Sequence, residues 1–218
     1  VFVLAYSLTA LAAYLLGSVP TGFLAGKARG VDIRAAGSGN IGATNSFRIL
    51  GWTAGTLVLL VDALKGFVSV WFVAPWIVRA LAPAESVPQA TEVARLVAAV
   101  CAVLGHNFTC WLKFKGGKGI STSAGVLLAL VPGPLLVILA VFILLFASTR
   151  YVSVASMGAS AALPIATWLC KYNTTLIVVT TGMAVMAIYK HKGNIRRLMD
   201  GTENRFGGKK KPTDSSNP

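Results

Sequence analysis

The residues best suited to chemistry lie in three short polar segments set between long apolar blocks. The first holds Gly37-Ser38-Gly39-Asn40-Ile41-Gly42-Ala43-Thr44-Asn45 and then Arg48. Its glycines let backbone N–H groups approach an oxyanion. Ser38, Asn40, Thr44 and Asn45 add neutral donors, and Arg48 adds a planar charged fork. The combination suits a phosphate, although an ordinary polar connector draws on the same residue types at lower density. The glycines also match the dinucleotide fingerprint, with Asp62 about twenty residues on. That match fails by context, because no strand-helix-strand unit surrounds it and Asp62 sits inside an apolar block.

The second segment runs through Gly105-His106-Asn107 to Lys115-Gly116-Gly117-Lys118-Gly119-Ile120-Ser121-Thr122. A nucleotide-binding loop of the Walker type needs a Gly separated by four residues from its Gly-Lys pair, and Leu112 stands there. ATP is therefore not indicated. Gly116, Gly117 and Gly119 instead open a helix whose first turn contains Ser121 and Thr122, an anion site that the Lys118 ammonium reinforces. A basic turn at a membrane interface is the plainer alternative. The third segment, Lys190 to Arg205, places His191 and Asn194 three residues apart, on one face of a helical turn. Its cations could equally grip anionic lipid.

His191 and His106 are the two histidines, and thus the side chains whose unperturbed pKa suits proton transfer near neutrality. Competing chemistries lack their residues. No Gly-x-Ser-x-Gly elbow supports a Ser-His-Asp hydrolase, and no ligand cluster supports a metal; no cofactor is expected. An acyltransferase whose His and Asp are separated by four residues is excluded as well, since Trp111 lies five positions after His106 and Arg196 five after His191. Cys101, Cys110 and Cys170 show no zinc or redox spacing and read as buried thiols.

The elements that must position these segments are membrane helices. Of 218 residues 55% are hydrophobic and 12% charged, more apolar surface than a soluble domain of this size can hide. The net charge of +13 is spread among short segments without aromatic interleaving, which argues against nucleic acid and for membrane lipid and phosphorylated small molecules. Apolar blocks fall at about 3–26, 52–80, 93–112, 119–148, 152–170 and 174–189, each comparable with the roughly 20 residues of a span. Lys27, Arg29 and Arg34 follow the first block and no cation precedes it, so it reads as a retained span rather than a cleaved signal.

The block at 119–148 is too long for one span and is broken at Pro132-Gly133-Pro134, so it counts as a short hairpin. The expected fold is thus an all-α polytopic transmembrane bundle of about seven spans, N-terminus outside and C-terminus cytoplasmic. That count puts 16 of the 20 Lys and Arg on the cytoplasmic side, in accord with the positive-inside bias. Lys65, three residues after Asp62 inside a span, either neutralises that carboxylate or leans toward an anionic ligand. Residues 1–206 form one membrane-embedded domain, and 207–218, with Lys209-Lys210-Lys211, read as a disordered basic tail.

Taken together, the three segments resemble the bacterial integral-membrane acyl-phosphate:glycerol-3-phosphate acyltransferase family over most of the chain. The likeness rests on Gly17-Ser18-Val19-Pro20-Thr21-Gly22 leading into Gly37 to Asn45, on Gly105-His106-Asn107 with Lys115 to Gly119, and on His191-x-x-Asn194-Ile195-x-Arg197-Leu198 with Gly201-x-Glu203. It implies transfer of a fatty acyl group from acyl phosphate to the sn-1 hydroxyl of glycerol 3-phosphate, giving lysophosphatidic acid and inorganic phosphate. This would be the first committed acylation of phospholipid synthesis, without acyl-CoA, at the cytoplasmic face of the bacterial inner membrane. It also implies functional roles for Ser38, Arg48, the Gly116–Lys118 turn, His191, Asn194 and Glu203, and places Ser153 near the site. Crowding of two phosphates demands many donors, and a substrate phosphate could take the proton in place of His191. A transporter for phosphate or a sugar phosphate is the rival reading; it would need a mid-membrane site and internal repeats, and no convincing repeat is present.

Overall fold

A computed structural model describes residues 1–207, so all of the expected basic tail beyond Gly207 lies outside the described residues. Every regular element described is helical. The first apolar block forms α1 (Phe2–Ser18) and α2 (Thr21–Lys27), separated where Pro20 cannot donate to the helix ladder. After the first polar loop come α3 (Ala43–Leu50) and α4 (Trp52–Val68). A π-helical stretch, Ser69–Val73, joins α4 to α5 (Ala74–Leu81). Pro75, just beyond that stretch, removes one backbone donor, and the widened turn absorbs the mismatch. A short 3-10 turn leads into α6 (Val87–Asn107).

The 119–148 block divides as expected into α7 (Ile120–Leu130) and α8 (Pro132–Thr149), with Pro132 the first residue of α8. Three helices follow: α9 (Val152–Leu169), α10 (Thr174–Lys190) and the short α11 (Lys192–Met199). Among the described residues, five helical stretches are long and apolar enough to cross a membrane, and α7 and α10 are shorter apolar helices.

Helices in lipid gain little from hydrophobic burial against one another, so association depends on close backbone approach. Two pairs achieve it with glycine. On α1 and α6, a Cβ at Gly17 would strike the Ala102 backbone and one at Gly105 the Tyr14 carbonyl. On α4 and α7, Gly66 and Gly125 stand in the same relation to Thr122 and Ala63. Ala94, Ala98, Ala99 and Ala102 continue the small, fully buried face of α6. These contacts hold the end of α6 against α1 and the start of α7 against α4.

The thiols depart from expectation: Cys170, at the end of α9, is exposed, and Cys101 and Cys110 are only half-buried. An apolar sequence neighbourhood here marks lipid-facing surface as often as interior.

Candidate active site

Asn45 builds the first loop. Its Nδ2 donates to the carbonyls of Ile33 (3.2 Å) and Ala36 (3.0 Å), and its Oδ1 accepts from the Ser38 amide at 2.9 Å. The chain can pass this tightly around a side chain because Gly37 and Gly39 take φ of 61° and 68°. Asn40 Oδ1 accepts from the Gly42 amide at 2.9 Å and so closes the turn that leads into α3. Ile33 and Ile41 pack on Leu112 of the second segment, which brings the two loops together. Ser38, Asn40, Thr44, Asn45 and the half-buried Arg48 consequently line the cavity.

The second segment folds back on the end of α6. The Gly116 and Gly117 amides donate to the Asn107 and His106 carbonyls at 3.2 and 3.0 Å, and Gly117 lies against the His106 imidazole, where a Cβ would collide with the ring. Lys190 Nζ also donates to the Asn107 carbonyl at 2.8 Å and sits 4.6 Å from the Phe108 ring centroid, tying α10 to the same corner. Lys118 follows on the cavity wall at the entrance to α7. Burial pushes its ammonium down to about 8; Glu203 opposes the shift, while Arg197, Arg48 and Lys190 add to it.

His191 joins α10 to α11 and is buried. Its Nδ1 lies 2.7 Å from the Ala187 carbonyl, which can only accept, so Nδ1 carries the hydrogen and Nε2 is left as an acceptor. Burial, reinforced by the Lys118 charge, pushes the imidazole down to about 4. Glu203 forms the hub of this side. Its Oε1 accepts from Ser153 Oγ (2.9 Å) and Asn194 Nδ2 (2.7 Å), and its Oε2 from Arg197 Nε (2.7 Å). Burial favours the protonated carboxyl, but these three donors outweigh it and hold Glu203 below the usual glutamate value.

The cavity has a volume of about 510 Å³ and two chemically distinct ends. Ser38, Asn40, Arg48, Lys118, His191 and Asn194 stand at the polar end. Leu59, Leu127, Leu135, Leu139, Phe142, Leu163 and Met183 line an apolar arm that runs between α4, α7, α8, α9 and α10. Ser153 and Ser121 also reach the wall, as does His106.

Several expected ligands stand elsewhere. Lys65 pairs with Asp62 Oδ1 at 2.8 Å and donates to the Val19 carbonyl at 2.8 Å, a carbonyl freed by the break at Pro20. It is fully engaged inside the bundle and does not line the cavity. Thr122 turns toward α4, where its carbonyl meets Gly66. The Asn107 side chain is buried behind Gly119. Gly37, Gly39, Gly116 and Gly117 shape the loops from behind the wall, and Arg197 holds Glu203 from outside it. Glu203 also lines the cavity, and both of its oxygens already accept from protein donors, two on Oε1 and one on Oε2.

Asp62, read from the sequence only as the partner of Lys65, also reaches the wall, and the sequence does not single out Ser123 beside Ser121, or Ser156 and Ser160 on the α9 face. The i, i+3 and i+7 spacing of Ser153, Ser156 and Ser160 was the available signal, since it marks one helix face.

A helical bundle that gathers cations, amides and hydroxyls at one end of an apolar groove defines a membrane protein for an amphiphilic anion. Comparison with known proteins narrows this class. Residues 7–201 match the family model for glycerol-3-phosphate acyltransferase. The glycerol-3-phosphate acyltransferase of Geobacter sulfurreducens is 45% identical over 200 residues, covering 89% of this chain and 94% of that protein. That of Fusobacterium nucleatum is 43% identical over 194 residues, covering 88% and 94%. Two crystal structures of PlsY (YgiH), an integral membrane glycerol 3-phosphate acyltransferase, superpose with TM-scores of 0.80 (glycerol 3-phosphate form) and 0.78 (lysophosphatidic acid form). Each is 35% identical and covers 93% of this chain, and the coverage of the PlsY chains is 96% and 95%. The chain belongs to the glycerol-3-phosphate acyltransferase family and is an integral membrane acyltransferase of bacterial type.

Proposed function

We propose that the protein transfers a fatty acyl group from acyl phosphate to the sn-1 hydroxyl of glycerol 3-phosphate, releasing lysophosphatidic acid and inorganic phosphate. The observation that carries this reading is the shared cavity: one polar end with charge and amides enough for two phosphoryl groups, continuous with one apolar arm for a single acyl chain. Acyl-CoA is not needed, because phosphate is itself a competent leaving group and the cations are placed to receive it.

In this mechanism Lys118, Arg48 and Ser38, set in place by the glycine turns, hold the phosphates, and the apolar arm holds the acyl tail beside them. Orientation and charge stabilisation are then the main sources of rate. The hydroxyl oxygen attacks the acyl carbonyl carbon, the bond from that carbon to the phosphate oxygen breaks, and the hydroxyl proton leaves to an acceptor. His191 Nε2 is one acceptor in place. The departing phosphate is the other, and it is the proton's final resting place in either case. Glu203 acts indirectly by fixing Asn194, Ser153 and Arg197.

We further infer seven crossings with the site facing the cytoplasm of the inner membrane. The positive-inside bias supports this orientation, with 16 of 20 Lys and Arg on that side. Purified protein in vesicles tests the activity. Supplied with acyl phosphate and glycerol 3-phosphate, it should yield phosphate and lysophosphatidic acid in equal amounts and give none with acyl-CoA. Glycerol 3-phosphate flux without product would instead identify a transporter.

A further inference from the structure

One buried charge on the cavity wall has no part in the mechanism above. Asp62 and Glu203 are the two carboxylates that line the cavity among the described residues, and Glu203 is committed to its three donors. We propose that Asp62 is a positioning residue for acyl transfer, acting through the His106 ring to hold the Gly116–Lys118 turn in its phosphate-binding form. This rests on the reading of that turn as a phosphate site.

Asp62 joins four elements. Its Oδ1 accepts from Thr21 Oγ1 on α2 at 3.0 Å and pairs at 2.8 Å with Lys65, whose ammonium also reaches the α1–α2 break at Val19. The same oxygen stands 3.7 Å from His106 Nδ1 on α6. That separation exceeds a hydrogen bond, and His106 Nδ1 is buried with no other partner among the described residues. The far edge of the ring, at Nε2, rests on Gly117, the position at which a Cβ would overlap it. The Gly117 amide in turn donates to the His106 carbonyl at 3.0 Å, and Lys118 is the next residue. The imidazole is thus a wedge between the carboxylate and the turn.

A purely structural ion pair behaves differently from a positioning one. Removing one buried charge strands the other, whereas replacing both with apolar residues of similar volume commonly leaves stability intact. The test is therefore the pair exchange Asp62→Leu with Lys65→Met in the full chain, with the melting temperature as the control for folding. The first readout is the Kd for inorganic phosphate, and the second is KM and kcat with acyl phosphate and glycerol 3-phosphate.

The expected result is a wild-type melting temperature with phosphate binding weakened about tenfold or more. KM for at least one phosphorylated substrate should rise with it and kcat change less, since a displaced turn loses binding made alike in the ground state and the transition state. His106→Gln should give the same loss, and adding it to the pair exchange should not deepen the loss. Unchanged phosphate affinity and KM in the folded pair variant would overturn the proposal. If the pair variant does not fold, Asp62→Asn is measured in the same way and decides by the same criterion. Failure of the wild-type protein to use acyl phosphate would count against the proposed reaction, while the comparison of phosphate Kd values would still decide the role of Asp62.

Discussion

Lys118 makes the most quantitative prediction, because the group that neutralises phosphate is itself close to titration. Burial places its pKa at about 8. The protonated form binds the anion, so binding is complete below that value and is lost as pH rises through it. At pH 9, one unit above, about one enzyme molecule in ten keeps the charge, and kcat/KM should fall about tenfold from its plateau. Bound phosphate favours the ammonium, so the alkaline limb of kcat should lie at higher pH than that of kcat/KM. Lys118→Arg supplies the control, since a guanidinium stays charged across this range. Its kcat/KM, whatever its height, should be flat from pH 7 to 10 once the alkaline stability of acyl phosphate has been subtracted. The acid side is less informative, because a phosphate monoester titrates near pH 6 on its own. An alkaline limb at the same pH in the Arg variant would refute the assignment of that limb to Lys118.

Three further outcomes follow from the geometry. Glu203→Gln keeps the shape but loses the charge that holds three donors. Each hydrogen bond to a charged group contributes about 1.5–3 kcal/mol, so kcat/KM should drop by about 10- to 100-fold even if only one is lost; an unchanged value in steady-state assays would remove Glu203 from the account. Gly117→Ala drives a Cβ into the His106 ring and should nearly abolish phosphate binding, whereas Gly182→Ala, with no atom close to the new Cβ, should bind phosphate as the wild type does. His191→Gln should lower kcat by about 100-fold or more if Nε2 takes the proton. Turnover retained within a few-fold would assign the proton to the substrate phosphate.

The spans were legible because lipid imposes one composition over long stretches: the observed helices begin and end within a few residues of most apolar blocks, and Pro132 breaks the long one. The block at 93–112 was placed late. Its first turns, from Val87, carry Gln89, Glu92 and Arg95, so hydropathy hid a helix that the backbone continues without interruption. The polar end of the site was legible for a different reason. Glycines, amides and cations concentrate in loops, where nothing apolar explains them.

What sequence could not resolve was which polar groups meet the cavity and which meet each other. Glu203 looked like a ligand, and only its contacts across 50 residues to Ser153 and 9 to Asn194 make it a clamp. Lys65 could either pair with Asp62 or lean toward a ligand, and that carboxylate together with the Val19 carbonyl, 46 residues away, claims it. Thr122 and Ser121 are neighbours in sequence and part company on α7, one toward α4 and the other toward the cavity. The apolar arm was invisible for the opposite reason: its residues are ordinary members of membrane helices, and only the spacing between α8, α9 and α10 makes a groove of them.

The central claim is that acyl transfer occurs at the carbonyl carbon, with phosphate as the leaving group held at the polar end. Acyl phosphate labelled with oxygen-18 in the bridging position tests it most directly. Attack at the carbonyl carbon predicts that the label leaves entirely in inorganic phosphate, formed in equal amount with unlabelled lysophosphatidic acid. Label recovered in free fatty acid, with no lysophosphatidic acid formed, would mean that the phosphorus rather than the carbonyl carbon is attacked and would contradict the account.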